Sequence, residues 1–188
     1  MKKVIVKSVI VTACILLVVV KIGSMIVSFF FPQTVSDLAF RVNAVKTCVN
    51  YQEKAYLKDK EFDTLALLTE RCIWASDDEK VIIYAEKFIT DEKFNDYAKN
   101  VDESYAYYII TSFVISLYNE GYKTKSVETA FKESNGFKTV GPIHRLIAYA
   151  SEKGDKETLN VIKQKLITYD GDEYASFLIN VIDNELQK

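Results

Sequence analysis

Along most of the chain after residue 35, apolar residues recur at every third or fourth position and not at every second one. This spacing puts them on one side of an α-helix and predicts a series of amphipathic helices that each bury one face. The apolar stripes are Leu38, Val42, Val45, Val49 and Tyr56; Phe62, Leu65, Leu68, Cys72 and Ala75; and Val81, Tyr84, Ala85 and Phe88. Residues 105–118 are apolar on nearly every side, which indicates a central helix. A strand is the alternative for this run, but its length and its position among helical patterns favour a helix.

The residues between these stripes are typical of helix ends. Ser76–Glu79 has the form of a capping box, Pro142 suits a first helical turn, and Asp155 suits an N-cap. Helices are expected to end at Gly121, Gly136, Gly154 and Gly171. The predicted helices cover residues 36–57, 60–75, 77–89, 91–100, 102–120, 124–135, 140–153, 155–168 and 171–186.

The N-terminal region has a different pattern, because residues 8–31 are apolar and only Lys21 among them is charged. A bilayer core needs about 20 such residues, so the run is long enough for a transmembrane helix that ends at Pro32. Phe29–Phe31 would lie near one interface. A buried core helix is the alternative, but so apolar a terminal run rarely fits inside a small domain. We therefore predict an N-terminal transmembrane anchor over residues 1–32 and a helical domain over residues 33–188.

Basic residues determine the predicted orientation of this anchor. Lys2, Lys3 and Lys7 precede it, whereas Arg41 and Lys46 follow it at a greater distance. The positive-inside rule then places the N-terminus in the cytoplasm and the helical domain outside. In a bacterium this describes a single-pass inner-membrane protein with a periplasmic C-terminal domain.

Two other readings of the N-terminus are weaker. A cleaved signal peptide would have a shorter apolar run and a small-residue cleavage site before Pro32. A lipoprotein is suggested by Val11–Cys14, which fits a lipobox by residue type. However, an apolar stretch follows Cys14 where a polar tether is expected.

Lys21 has two interpretations, because a lysine at the centre of a span costs about 2.5–3.5 kcal/mol. In the first, the span is residues 4–20, and the lysines at its two ends reach the interfaces. In the second, Cys14, Lys21, Ser24 and Ser28 form one polar, small-residue helix face that packs against another membrane helix. The second interpretation predicts that Lys21→Leu keeps insertion intact but loses a membrane partner.

The spacing of the helix ends suggests helical hairpins of roughly 33 residues, the size of a helical repeat. Residues 146–159, LIAYASEKGDKETL, resemble the middle of a tetratricopeptide repeat, with its turn and the amphipathic helix that follows. The resemblance covers one hairpin, residues 146–168. It departs from the family pattern because the spacing from Tyr149 to Gly154 is one residue longer and Leu159 stands where a small residue is expected. The resemblance implies a protein-binding scaffold and not an enzyme.

The predicted fold is therefore all-α, with a transmembrane helix followed by a stack of antiparallel helical hairpins. Such a stack would be either an α-solenoid of the tetratricopeptide type or an irregular helical bundle.

Two cysteines fall on the inward stripes of consecutive predicted helices. Cys48 and Cys72 are equally far from the turn expected near residue 60, so an antiparallel hairpin would place them level with each other. In an oxidising compartment this alignment predicts a disulfide between them. Two buried thiols in the core are the alternative.

The charge balance excludes one class of function and the motifs disfavour another. From residue 32 onwards the chain has 20 basic and 26 acidic residues, whereas a nucleic-acid-binding protein needs a basic surface. His144 is the single histidine, and the sequence has no motif for a nucleophile, a metal or a phosphate-binding loop. Paired acids such as Asp77-Asp78 and Asp172-Glu173 stand at predicted helix starts, where capping explains them. We therefore expect no catalytic residues, no metal, no cofactor and no small-molecule substrate.

Twelve tyrosines are many for 188 residues, and five of them lie close together in the sequence. Tyr105, Tyr107, Tyr108, Tyr118 and Tyr122 form a possible surface for a protein partner, although core packing explains such residues equally well. The sequence favours a membrane-anchored protein-binding module in the bacterial envelope, such as a scaffold or accessory subunit of secretion, pilus or motility machinery. An immunity or phage exclusion protein against an envelope-acting toxin is the alternative. A peptidoglycan-active enzyme that uses paired acids is a weaker one.

Overall fold

The computed structural model describes residues 2–100, 103–134, 141–169 and 171–188, with side chains from residue 15 onwards. This part of the chain is 85% helical and contains eleven helices and no strand, which confirms the predicted all-α class. The helices are α1 (Lys2–Phe30), α2 (Pro32–Arg41), α3 (Val45–Asp59), α4 (Phe62–Trp74), α5 (Asp78–Thr90), α6 (Phe94–Asn100), α7 (Glu103–Asn119), α8 (Lys123–Glu133), α9 (Gly141–Glu152), α10 (Lys156–Ile167) and α11 (Glu173–Leu186).

Within the described residues, no single helix combines the length and the hydropathy required to cross a membrane. The part of α1 from Ile15 to Phe30 meets the length and hydropathy requirements only together with α2, and the two helices are bent by 107° relative to each other.

The chain forms two compact units, Met1–Arg71 and Cys72–Lys188, which we call unit 1 and unit 2. The boundary falls inside α4. This division describes packing within the protein. The predicted division after residue 32 concerns the membrane and stays a prediction.

In unit 1, the single helix predicted over residues 36–57 is wrong, because α2 and α3 are separate helices that pack against each other. The chain turns between them at Asn43, whose φ of 57° lies in the left-handed region that asparagine tolerates better than most residues. As a result, Leu38 and Val42 do not belong to one buried stripe with Val49. They are 63% and 66% exposed, whereas Val49 is buried.

The expected disulfide is not formed. Cys48 and Cys72 are both buried, and no disulfide joins them in the structure. Within unit 1, α3 packs on α2, and Cys48 lies against Ser36 of that helix. The Ser36 hydroxyl donates a hydrogen bond to the carbonyl oxygen of Cys48 (2.9 Å), and its Oγ lies 3.4 Å from the Cys48 Sγ.

In unit 2, α7 is the central helix, as the sequence predicts, and it packs against α5, α6, α8 and α9. Helix α9 also packs against α10 and α11. The odd-numbered helices therefore form a row in which α5 contacts α7, α7 contacts α9, and α9 contacts α11. One hydrophobic cluster of unit 2 contains buried side chains from α7, α8, α9, α10 and α11. The largest of them are Ile143, Leu146, Ile147, Leu159, Ile162, Leu166 and Leu178.

The helix ends follow the predicted signals with one exception. Asp155 caps α10, and Asp172 caps α11 through two backbone amides. The capping box at Ser76 is wrong, because Ser76 has a φ of 53° and Asp77 is the N-cap that accepts from the Lys80 amide.

The predicted helix stops at Gly121 and Gly154 are confirmed, because each glycine follows the end of its helix by two residues and has a positive φ. Gly171 also has a positive φ, but α10 ends four residues earlier, at Ile167. Pro142 lies in the first turn of α9. Gly136 lies outside the described residues.

We predict that Gly154→Ala destabilises the 188-residue chain by about 1–2 kcal/mol, because a Cβ is strained at its φ of 65° although nothing lies within 4 Å of it. Gly141→Ala is the matched control. Its Cβ also meets open space, but at an ordinary φ, so we expect a change between zero and about 1 kcal/mol of stabilisation. Urea denaturation followed by far-UV circular dichroism measures both. Equal effects would contradict the assignment of strain to position 154.

Candidate functional site

A groove of about 530 Å³ runs along the part of α7 that neighbouring helices leave uncovered in unit 2. Its walls come from the start of α5, one side of α7 and the first half of α9. The lining residues are Ile73, Ser76, Asp78, Val81, Ser104, Tyr107, Tyr108, Thr111, Ser112, Ile115, Ser116, Asn119 and Arg145.

The sequence of α7 explains why one side of it is open. One face of α7 carries polar side chains spaced by four or seven residues, which is one or two helical turns. They are Ser104, Tyr108, Ser112 and Asn119. The apolar positions between them, such as Ile109, Phe113 and Leu117, are buried on the other faces. The groove therefore follows a mixed aromatic and hydroxyl stripe on a helix that is otherwise surrounded.

The polar groups of the groove include a hydrogen-bonded cluster around Asp78 and the exposed guanidinium of Arg145. Asp78 accepts hydrogen bonds from the Ser116 hydroxyl (2.6 Å) and from the Asn119 amide (2.8 Å), so its carboxylate holds α5 against α7. Arg145 is exposed and forms no ion pair with any residue that the structure describes. Burial, followed by the negative charge of Glu103, raises the pKa of Tyr107, which keeps its hydroxyl protonated.

A second polar cluster lies at the end of α7, where three helices meet at Asp155. Its carboxylate accepts from the Tyr118 hydroxyl (2.7 Å) and from the Thr158 amide (3.1 Å) and hydroxyl (2.7 Å). The Lys123 Nζ lies 2.7 Å from the same carboxylate. These groups come from α7, the start of α8 and the start of α10. We call this set of four residues the Asp155 junction.

The hydrogen bonds of the junction shift the pKa values of its members. Burial alone would raise the pKa of Asp155, but the bonds from Lys123, Tyr118 and Thr158 outweigh burial and hold the pKa well below its ordinary value of 3.8. Burial and the bond to Asp155 raise the pKa of Tyr118 above its ordinary value of 10.0. Asp155 is therefore a carboxylate, and Tyr118 a hydrogen-bond donor, throughout the neutral pH range.

The Asp155 junction is connected to the groove through Tyr149. The Tyr149 ring packs edge-to-face against Tyr118 with 5.6 Å between centroids, and its hydroxyl donates to the Asn119 side chain (2.9 Å). Asn119 in turn donates to Asp78. The polar end of the groove is thus held by contacts to α5, α9 and α10 and not by α7 alone.

The structure brings two of the five predicted surface tyrosines together in the groove. Tyr107 and Tyr108 line it, with Tyr108 45% exposed. Tyr105 packs against Tyr97, with 6.2 Å between ring centroids, and Tyr118 is buried in the junction. Tyr122 is exposed at the start of α8, outside the lining of the groove.

Sequence reasoning missed Ser112, Asn119 and Arg145 as groove residues. The signal that could have found the first two is the periodic polar stripe on α7. Arg145 could not be found this way, because it comes from another helix.

The remaining candidates lie elsewhere. Ser24 and Ser28 line a groove in unit 1, and Ser24 donates to the Lys21 carbonyl (2.8 Å), whereas the Cys14 side chain lies outside the described residues. His144 is exposed on α9. Within the described residues, no group of three His, Cys, Asp or Glu side chains is placed to hold a metal.

We predict that Asp155→Asn destabilises the 188-residue chain by about 1–3 kcal/mol at pH 7, because asparagine keeps the cap but loses the charge-assisted bonds. The folded-state pKa lies below the unfolded one, so this contribution is present above about pH 4 and is lost as the pH falls further. The difference between wild type and variant should therefore shrink in acid. A difference that stays constant from pH 7 to pH 3 in urea denaturation would contradict the role of the junction.

Comparison of the chain with protein-family models, with curated proteins and with solved structures gives no significant match.

Proposed function

We propose that this protein is a membrane-anchored module of the bacterial cell envelope that binds another protein. In this proposal α1 is a single-pass anchor, and the C-terminal helices form a tetratricopeptide-like stack in the periplasm. The protein would act as a scaffold or accessory subunit of a larger envelope complex, such as secretion, pilus or motility machinery, and not as an enzyme.

The observation that carries the proposal is the groove along α7. It combines aromatic area from Tyr107 and Tyr108 with hydroxyl groups, an amide and the guanidinium of Arg145, which has no ion-pair partner among the described residues. Tyrosine and arginine are enriched among the residues that contribute most to protein interfaces. The groove is lined largely by side chains that hydrogen-bond through their tips, which suits an extended or helical segment of a partner that carries an acidic residue for Arg145.

The packing of unit 2 supports a repeat-like stack. Each of α5, α7 and α9 touches the next helix but one, and α8 touches α10. Stacked hairpins that contact only their neighbours are the building plan of helical solenoids, which use their extended surfaces to bind proteins.

The exposure of α1 supports the anchor. Apolar side chains are exposed on all sides of its described part, for example Leu17 (69%), Met25 (65%) and Phe29 (76%). So large an exposed apolar surface requires a cover, and a bilayer or a partner helix would supply it.

A photo-crosslinking amino acid at position 108 should form one saturable adduct with an envelope protein in native membranes, because Tyr108 lines the groove and is 45% exposed. Arg145→Glu should reduce the yield of this adduct at least tenfold, since it reverses the charge expected to meet an acidic partner. Tyr122, which is 58% exposed and outside the groove, is the matched position. The same adduct at equal yield from position 122 would argue against a specific surface on α7.

The anchor is tested by fractionation. Produced in a bacterial host, the chain should stay in the membrane pellet after alkaline carbonate extraction, because apolar contacts with lipid do not depend on charge. Protease added to spheroplasts should then digest residues 33–188 if they face the periplasm. Release by carbonate would contradict an integral anchor, and protection from external protease would contradict the orientation.

A further inference from the structure

A second groove, lying entirely within unit 1, follows the last two turns of α1 and one side of α3. It has a volume of about 900 Å³, within the range of roughly 300–1,000 Å³ that is typical of sites for small molecules. The lining residues are Ser24, Met25, Ile26, Ser28, Phe29, Phe30, Pro32, Tyr51, Lys54 and Lys58.

The bend after α1 creates this groove. The axis of α2 departs from that of α1 by 107°, and α3 packs on α2, so the end of α3 returns to the end of α1. There the Lys58 Nζ donates to the Phe30 carbonyl oxygen (3.1 Å), one of the carbonyls that a helix end leaves without an intrahelical partner.

One wall of the groove is strongly apolar. Met25 and Phe29 are 65% and 76% exposed, and Ile26 is 51% exposed beside them. The Phe29 and Phe30 rings pack edge-to-face, with 5.2 Å between centroids. This wall continues the exposed apolar surface of α1, so whatever covers α1 also reaches the groove.

The other wall is positively charged. Lys54 and Lys58 stand four residues apart on α3, which puts both on the same side of the helix. Neither forms an ion pair with a described residue, and the described lining contains no acid. The Lys54 Nζ lies 4.4 Å from the centre of the Tyr51 ring, and each lysine retains N–H groups for a further acceptor.

We propose that this groove binds one anionic phospholipid of the bilayer, with its phosphate on Lys54 and Lys58 and an acyl chain along Met25 and Phe29. The proposal rests on the proposed anchoring of α1 in the membrane. An amphiphile with a negative headgroup matches the apolar wall and the two-lysine wall at once, and the apolar wall is continuous with the surface that the bilayer would cover. A second copy of the chain placed face to face would set lysine against lysine, so it fits the charge poorly.

The test uses the 188-residue protein in nanodiscs of defined composition, with retained lipid measured by native mass spectrometry. The probes are phosphatidylglycerol and phosphatidylcholine. We expect wild type to retain phosphatidylglycerol about tenfold better than phosphatidylcholine. The double variant Lys54→Gln, Lys58→Gln should lose this preference, and Lys54→Arg, Lys58→Arg should keep it.

The matched control is Lys46→Gln, Lys60→Gln, which removes the same charge from exposed positions of unit 1 outside the groove lining. This control should retain the preference of the wild type. Equal losses in the two double variants would overturn the proposal, because they would indicate general attraction of a basic surface to an anionic bilayer. Equal retention of the two lipids by wild type would also overturn it.

A photo-crosslinking amino acid at position 51 distinguishes the occupant. A lipid adduct supports the proposal, whereas a protein adduct in its place overturns it. Failure of the chain to enter nanodiscs of either lipid would contradict the anchor itself. Entry without a preference for phosphatidylglycerol contradicts the lipid site alone.

Discussion

The need to bury α7 determines the arrangement of unit 2. Residues such as Ile109, Phe113, Val114 and Leu117 project from several sides of this helix and are at most 2% exposed. Each contributes about 1.5–3 kcal/mol when removed from water, so no single neighbouring helix could satisfy α7. Its contacts with α5, α6, α8 and α9 follow from this requirement. The groove exists because the stripe from Ser104 to Asn119 is the one part of α7 polar enough to remain at the surface.

Polar contacts then fix the positions of the helices of unit 2 along one another, which apolar packing alone does not determine. Helices packed only through aliphatic side chains could slide by a fraction of a turn at small cost, whereas hydrogen bonds and ion pairs have narrow geometry. Asp78 holds α5 to α7, and Asp155 joins α7 and α8 to the start of α10. Tyr149 connects the two through Asn119. The groove is therefore shaped by a network that extends well beyond its own lining.

Helix positions in unit 2 could be predicted from the sequence because the deciding signals are local. The period of the apolar residues, the left-handed glycines at 121, 154 and 171, and the Asp155 cap each act within a few residues. The predictions that were wrong concern positions where two neighbouring residues, or two backbone paths, are equally compatible with the local sequence. Ser76 and Asp77 are both good caps, and the backbone of Ser76 decided between them. Asn43 interrupts an apolar stripe that is continuous in the sequence, and the turn there packs α3 on α2, where Cys48 meets Ser36. The side of α7 that stays open depends on which helices cover the others, which local signals do not specify.

The apolar side chains of α1 also have to be removed from water, but within unit 1 they are not covered by neighbouring helices. α7 is covered by neighbouring helices of its own unit, whereas the described side chains of α1 up to Phe30 stay largely exposed although they are equally apolar. Exposed hydrophobic surface on this scale marks a site of contact with a protein or a membrane. The proposed bilayer anchor would cover the helix on every side, in keeping with the exposure of its side chains in all directions between Ile15 and Val20. From Ser24 onwards, α1 lies beside Lys54 and Lys58 of α3. A molecule that covers this part of α1 therefore also meets two positive charges. One helix thus has two surfaces, a uniformly apolar one up to Val20 and one bordered by lysines after Ser24, and the proposed anchor accounts for both because a membrane helix meets charged groups where it leaves the hydrocarbon core.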